Sequence, residues 1–536
     1  MCYISGRPCT CVRAQLNLLS IVKHCYSLLP TLLLLSAITT AQTVAMRAVP
    51  SDDAPTISRH IYGHFAEHLG RCIYGGFYVG DTSAIPNRGG VRMDVVEALR
   101  DLQIPNVRWP GGCFADTYHW KDGVGPQEER PSILNVWWGN VKEDNSFGTH
   151  EFLNMCELLD TEPYLSANVG SGTVQEFADW IKYTNHPDGT SPMPSLRAEN
   201  GRVEPWNVTY WGIGNEAWGC GGNMRPEYYA DLYRRFATYA SDWTNSGGIY
   251  RIASGASNGD YNWTRVLMER IPKNLIEAIA LHHYSVIDWS NKGSATDFTE
   301  AQYFATMTEA LKMDELIEGH VAVMDEYDPE GRVDLFVDEW GGWYDVEPGT
   351  NPGFLYQQNT MRDAVLAGAT LNTFNRHAAR VKMANLAQAV NVLQAVILTE
   401  GERMLLTPTY HVMKLYAVHH DATLIPLEFD APTYTYGGEE LPALSASASR
   451  DSTGRVHVSL VNLDARQAHA VALDVTDLGL TGVSGQIISS ENLQDHNTFA
   501  EPERVTARPF DGVRLEGGTI KLELPPFSVV VLEGRE

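Results

Sequence analysis

Apolar residues recur along most of this chain in two alternating periods. Short runs of the kind a buried strand shows, at Tyr164–Val169, Val208–Ile213, Arg251–Ser254, Ala278–His283, Val333–Val337 and Val381–Gln388, are separated by stretches with helical spacing. The helical stretches are Arg92–Leu102, with Val95, Val96, Leu99 and Leu102 on its apolar side, then Thr149–Leu159, Val174–Tyr183, Pro226–Trp243, Trp263–Ile271, Glu300–Asp325, Gln357–Thr370 and Thr409–His419. Ile61–Glu67 and the short run before Pro110 supply the first two strands. Roughly eight strand and helix alternations predict an α/β fold, a (β/α)8 TIM barrel rather than an open doubly wound sheet. No Gly-x-Gly-x-x-Gly opens a helix after a strand, as a dinucleotide fold would need.

The pattern changes beyond Thr423. Val456–Val461, Ala468–Val475, Val483–Ile488, Gly518–Leu524 and Phe527–Leu532 alternate with period two between Gly, Pro, Asp and Asn, which predicts an antiparallel β-sandwich domain. Thr43–Val49 alternates in the same way and is assigned to that sandwich. The resulting division is a leader at 1–41, a sandwich strand within 42–55, the barrel at 56–422 and the sandwich at 423–536. In the leader, Lys23 and His24 precede the apolar run Leu28–Ile38, and Thr39, Thr40 and Ala41 offer small residues for cleavage before Gln42. The run is too short for a membrane span. A signal peptide implies an extracellular or periplasmic destination; translation from Met46 is the alternative and implies a cytoplasmic one.

The formal charge of -26 repels nucleic acid and anionic membrane, so neither is an expected partner. Cys2, Cys9, Cys11 and Cys25 fall in the leader, leaving Cys72, Cys113, Cys156 and Cys220 in the body without zinc-site spacing. Free thiols are expected at these positions, which weighs against a strongly oxidising destination.

Two strand ends carry the candidate chemistry. Val208–Ile213 runs into Gly214-Asn215-Glu216, and Val333–Val337 closes on Asp338-Glu339, with Trp218 and Trp340 nearby for stacking on a sugar. Two carboxyl groups facing each other across a cleft are what cleavage of a glycosidic bond needs. Glu216 is the candidate acid/base, since the Asn215 amide beside it can bind a sugar hydroxyl, and Glu339 is the candidate nucleophile. His282 and Tyr284 end another strand and are positioned to donate hydrogen bonds; a phenol donating to Glu339 would keep it ionised. Arg108 can orient the acidic cluster and Glu67 can accept from ring hydroxyls, although a structural ion pair fits these two as well. Trp343 and Trp120 are candidates for the pocket wall. No Gly-x-Ser-x-Gly elbow is present, and His282-His283 lacks the third ligand and spacing of a zinc site.

Together, Ile61–Gly70, Arg108–Asp116 with Tyr118–Gly123, Trp211–Glu216, Leu281–Tyr284 and Val337–Trp340 resemble the α-L-arabinofuranosidases of glycoside hydrolase family 51, retaining barrel enzymes. The resemblance runs from about Thr43 to the C-terminus and implies a double displacement at the non-reducing ends of arabinan, arabinoxylan and their oligosaccharides. It gives Glu216 the acid/base role and Glu339 the nucleophile role. It makes Glu67, Arg108, Asn215, His282, Tyr284, Trp343 and Gln388 sugar-contacting or supporting positions. Cys113 stands where many members have Asn, and as a thiol it is the poorer hydrogen-bond partner. No metal or organic cofactor is implied, and a homo-oligomer, hexamers included, is. The alternatives are an endo-β-1,4-glucanase or β-xylosidase on the same scaffold, which an open cleft rather than a closed pit would favour, and a non-catalytic carbohydrate-binding protein.

Overall fold

In the computed structural model, which describes residues 43–241 and 248–535, β1 (Val44–Ala48) is followed by eight strands that close into a parallel barrel. These are β2 (Gly63–Phe65), β3 (Asn106–Trp109), β4 (Glu162–Ala167), β5 (Tyr210–Ile213), β6 (Tyr250–Ser257), β7 (Ala278–Ser285), β8 (Asp334–Gly342) and β9 (Val381–Ala387). They pair in chain order, β9 returning to β2. Each is followed by an outer helix, so the strands are covered on both faces and read as nearly continuous apolar runs. The predicted helices lie within a few residues of their expected bounds; that from Pro226 runs to Tyr239, and Trp243 lies outside the described residues, as does the leader.

The first strand differs from expectation. Ile61 and Tyr62 belong to a 3-10 turn (Arg59–Tyr62) capped by the Ser58 hydroxyl, which accepts from the His60 amide at 3.3 Å. Only Gly63–Phe65 pairs in the barrel. A side chain at Gly63 would collide with Asn106 on β3, so the strand approaches its neighbour only because none is present.

Two further sheets form the sandwich. One runs Leu427–Phe429, β1, His469–Asp474, Thr519–Leu524 and Arg514–Glu516; the other runs Thr423–Ile425, Leu444–Arg450, Val456–Asn462, Ser528–Arg535, Gly482–Ile488 and Arg508–Pro509. All pairs are antiparallel except β1 beside His469–Asp474. Val44, Met46 and Ala48 of β1 point into the core with Val458, Leu473 and Leu532, while Ala45 and Arg47 face out.

The Met361–Arg376 helix joins the two layers. Thr360 caps it, accepting from the Arg362 amide, and the Asp363 carboxylate returns a bond to the Thr360 amide at 2.7 Å. Every residue from Met361 to Asn375 is buried, because the barrel lies on one side and the sandwich on the other. A Cβ at Gly368 would stand 2.9 Å from Val461, so glycine sets how closely helix and sheet approach. The seam is also polar. Asn375 accepts from the Tyr62 hydroxyl at 2.7 Å and donates to Ser447 at 3.1 Å, while Asn372 accepts from Ser447 at 2.8 Å.

Replacing Asn375 with Ala strands the buried Tyr62 hydroxyl and removes the bond to Ser447. The expected loss is about 2 kcal/mol, read as a lower chemical-denaturation midpoint; an unchanged midpoint contradicts this account of the seam.

Candidate active site

The chemistry gathers at the C-terminal ends of the barrel strands, where the fold places such groups. Glu216 follows β5 on a sharp turn, with Gly214 at φ +85° and Glu216 itself at φ +41°, a left-handed conformation that non-glycine residues rarely hold. Its surroundings over-determine it. The Asp116 carboxylate accepts from the Asn215 amide at 3.0 Å and from the Val169 and Gly170 amides at 2.8 and 2.7 Å, tying the turn to the loop after β4. On the other side the Ser254 hydroxyl accepts from the Ala217 amide at 3.1 Å.

Glu339 lies on β8 directly beside His282 on β7. A break in register between β8 and β9 around Val337–Trp340 lets consecutive residues Asp338 and Glu339 both reach Arg108, which regular pleating would prevent. Arg108 donates to Glu339 Oε1 at 2.8 Å and to the side-chain Oδ1 of Asn215 at 2.5 Å, and its Nε is 3.8 Å from Asp338. The Tyr284 hydroxyl donates to Glu339 Oε2 at 2.7 Å. Nδ1 of His282 lies 3.0 Å from Glu216 Oε1 and 3.5 Å from Glu339 Oε1. Side-chain donor atoms of Glu216, His282 and Glu339 all fall within 4.8 Å of one another, close enough to enclose a cation; the Arg108 guanidinium already supplies positive charge there.

These contacts decide protonation. Burial alone would raise the Glu339 carboxyl, but His282, Arg108 and the Tyr284 hydroxyl outweigh it and hold it below the usual carboxylate range. Burial opposes the charged form of His282, yet Glu339 and Glu216 raise its pKa above the ordinary histidine value. Glu67 behaves differently. Burial pushes it up to about 8, against bonds from the Phe114 amide and the Trp138 indole, so near neutrality it holds a proton it can donate. It accepts from Phe114 at 3.0 Å, Trp138 at 2.8 Å and Gln388 at 3.2 Å. Side chains at Gly111 or Gly112 would crowd its carboxyl at 2.8 Å, which explains the paired glycines after Pro110.

A small pit opens over these groups, lined by Glu67, Cys113, Trp138, Glu216, Tyr284, Glu339, Trp343 and Gln388, with Leu69, Leu355 and Leu393. A larger groove of about 770 Å³ lies between the Pro408–Tyr416 helix and the sandwich, away from these strand ends.

Family models place the chain. One described as an α-L-arabinofuranosidase 1 domain matches residues 98–301, and one described as an α-L-arabinofuranosidase C-terminal domain matches 338–528. An intracellular exo-α-L-arabinofuranosidase of Bacteroides ovatus is 49% identical over 496 residues, covering 92% of this chain and 96% of that protein. The chain belongs to the family of α-L-arabinofuranosidases. Within it, the crystal structure of the GH51 arabinofuranosidase from Xanthomonas axonopodis pv. citri is 47% identical with a TM-score of 0.90, covering 92% of this chain and all of that one. The α-L-arabinofuranosidase of Thermotoga maritima, solved as an arabinose complex, is 30% identical with a TM-score of 0.80, covering 92% of this chain and 99% of that one.

For this arabinofuranosidase the structure brings Glu67, Arg108, Asn215, Glu216, His282, Tyr284, Glu339, Trp343 and Gln388 into one cluster. Four expectations change. Cys113 and Cys220 are not free thiols but a disulfide, while Cys72 and Cys156 are free and buried. The two half-cystines are 107 positions apart in sequence and 5.5 Å apart at Cα because they follow β3 and β5, on either side of β4. The argument against an oxidising destination falls with them. Their sulfurs approach Glu216 Oε2 at 4.0 and 3.5 Å and, lacking hydrogen, form a wall rather than a donor.

Trp120 lies away from the pit, stacked on Trp180 with its indole donating to the Glu176 carbonyl at 2.9 Å. Trp340 is buried against Phe374, and Trp218 donates to the Gly255 carbonyl, so neither Trp flanking a carboxylate lines the pit. The Asn215 side-chain Oδ1 accepts from Arg108, a supporting role that the resemblance allowed for. Sequence reasoning missed Trp138, Asp116 and Ser254. Asp116 stood inside the Arg108–Asp116 motif and the Trp137-Trp138 pair was visible, but neither announced its partner.

Tyr284→Phe removes a donor to the ionised form of Glu339, so the pKa of that carboxyl rises. If Glu339 must be ionised, the acid limb of kcat/KM moves to higher pH by roughly one unit. An acid limb that stays in place contradicts the role given to this hydrogen bond.

Proposed function

We propose that the enzyme removes terminal α-L-arabinofuranosyl residues from arabinan, arabinoxylan and arabino-oligosaccharides by a retaining double displacement. The observation that carries this reading is the spacing of the two carboxyl groups. One oxygen of Glu216 and one of Glu339 lie within 4.8 Å of each other, too close to hold between them the water that a widely spaced inverting pair accommodates, which suits direct attack on carbon.

Glu339, kept ionised by Arg108, His282 and Tyr284, attacks the anomeric carbon while Glu216 gives its proton to the departing glycosidic oxygen. Glu216 then takes a proton from water, whose oxygen replaces the Glu339 ester at the same carbon. The second inversion restores the original anomeric configuration. Glu67, Trp138, Trp343 and Gln388 close the pit around one sugar ring, which favours removal of terminal residues over cleavage within a chain. Assembly as a homo-oligomer rests on the family resemblance, and export on the leader motif.

Glu339→Ala is expected to lose at least about 10⁴-fold in kcat on every substrate. Glu216→Ala should lose about 10²–10⁴-fold on methyl α-L-arabinofuranoside, while still forming the glycosyl-enzyme from an activated aryl glycoside whose phenol needs little protonation. A burst of phenol from Glu216→Ala and none from Glu339→Ala meets the expectation. The reverse pattern exchanges the roles, and full activity in either variant ends the assignment.

A further inference from the structure

Among the described residues, several exposed large apolar side chains stand on loops that also supply or touch pit-lining residues. Leu134, Val136 and Trp137 stand on the loop after β3 that also carries Trp138, and Trp289 stands on the loop after β7. Trp289 is 58% exposed. The loop that carries it is braced. The Asp288 carboxylate accepts from the amide and hydroxyl of Ser290 at 2.8 and 2.7 Å, the Lys292 ammonium donates to the Trp289 carbonyl at 3.2 Å, and the Asp345 amide donates to the Gly293 carbonyl at 2.9 Å.

The ring is the outer member of a series. Tyr284, on Glu339, meets Trp343 at 5.1 Å between centroids, and Trp343 meets Trp289 at 5.3 Å, both edge to face. Tyr284 and Trp343 line the pit, whereas Trp289 lies beyond it.

We propose that Trp289 is the platform for the sugar on the leaving-group side of the scissile bond, stacking on the C–H face of an uncharged pentose ring of the chain from which arabinose is removed. This rests on the function proposed above. The proposed function seats one ring in the pit, so the next ring has to lie outside it, and an exposed indole set edge to face against pit-lining Trp343 offers that ring an apolar surface. The role is specificity rather than bond cleavage. It affects only substrates that have a ring to place there.

The test compares Trp289→Ala, Trp289→Phe and the parent on methyl α-L-arabinofuranoside, α-1,5-arabinotriose and an arabinose-branched xylo-oligosaccharide. For Trp289→Ala the expected result is kcat/KM on the methyl glycoside within about twofold of the parent. A fall of about tenfold is expected on the triose, the branched oligosaccharide or both, mostly recovered by Trp289→Phe. The oligosaccharide that falls identifies the ring as furanose or pyranose. Equal losses on all three substrates would mean that Trp289 merely props Trp343, and no loss on either oligosaccharide would mean that it touches no leaving sugar; both overturn the proposal. A lower oligomeric mass of Trp289→Ala in light scattering, with unchanged oligosaccharide kinetics, also overturns it, assigning the ring to subunit contact. If the parent hydrolyses none of the three, the functional reading itself fails.

Discussion

The buried guanidinium of Arg108 is the point on which this structure turns. It is 1% exposed, and a charge so placed is costly unless paired and hydrogen-bonded. Its pairing is what assembles the site. One nitrogen holds Glu339, another the Asn215 amide beside Glu216, Nε approaches Asp338, and the Phe65 ring lies 4.6 Å from the guanidinium carbon. Arg108 on β3, with His282 on β7 lying between Glu216 and Glu339, therefore sets the two carboxyl groups relative to one another.

Around that centre two carboxyl groups are held in different states by their surroundings. Glu339 sees His282, Arg108 and a phenol, which hold it below the usual carboxylate range. Glu67 is equally hidden but has only neutral donors in contact and is raised to about 8. Glu216 faces the half-open side, against a disulfide that offers it no hydrogen. Burial alone would have raised both Glu339 and Glu67. Chosen partners separate an ionised carboxylate from a neutral acid.

The barrel and sandwich were legible in the chain because hydrophobic period changes with each element and because parallel strands covered on both sides leave apolar runs. Glu216 and Glu339 were legible because each ends such a run. What escaped depends on contacts between distant segments. The Cys113–Cys220 bridge is made only when β3 and β5 take their places beside β4, so no spacing reveals it. Trp120 and Trp340 were assigned to sugar on the strength of nearby motifs, yet both have aromatic partners in the core; Trp138 reaches the pit from a hairpin loop that no carboxylate marks. An aromatic residue's sequence neighbours say little about which of its faces is covered.

The most direct test is the anomer released first. Proton NMR of arabinose appearing from methyl α-L-arabinofuranoside, recorded before mutarotation equilibrates the product, separates the α and β furanose forms. Two successive displacements through Glu339 predict that the α form appears first. Initial appearance of the β form would mean a single inversion by water and would contradict the account of Glu339 as the attacking group.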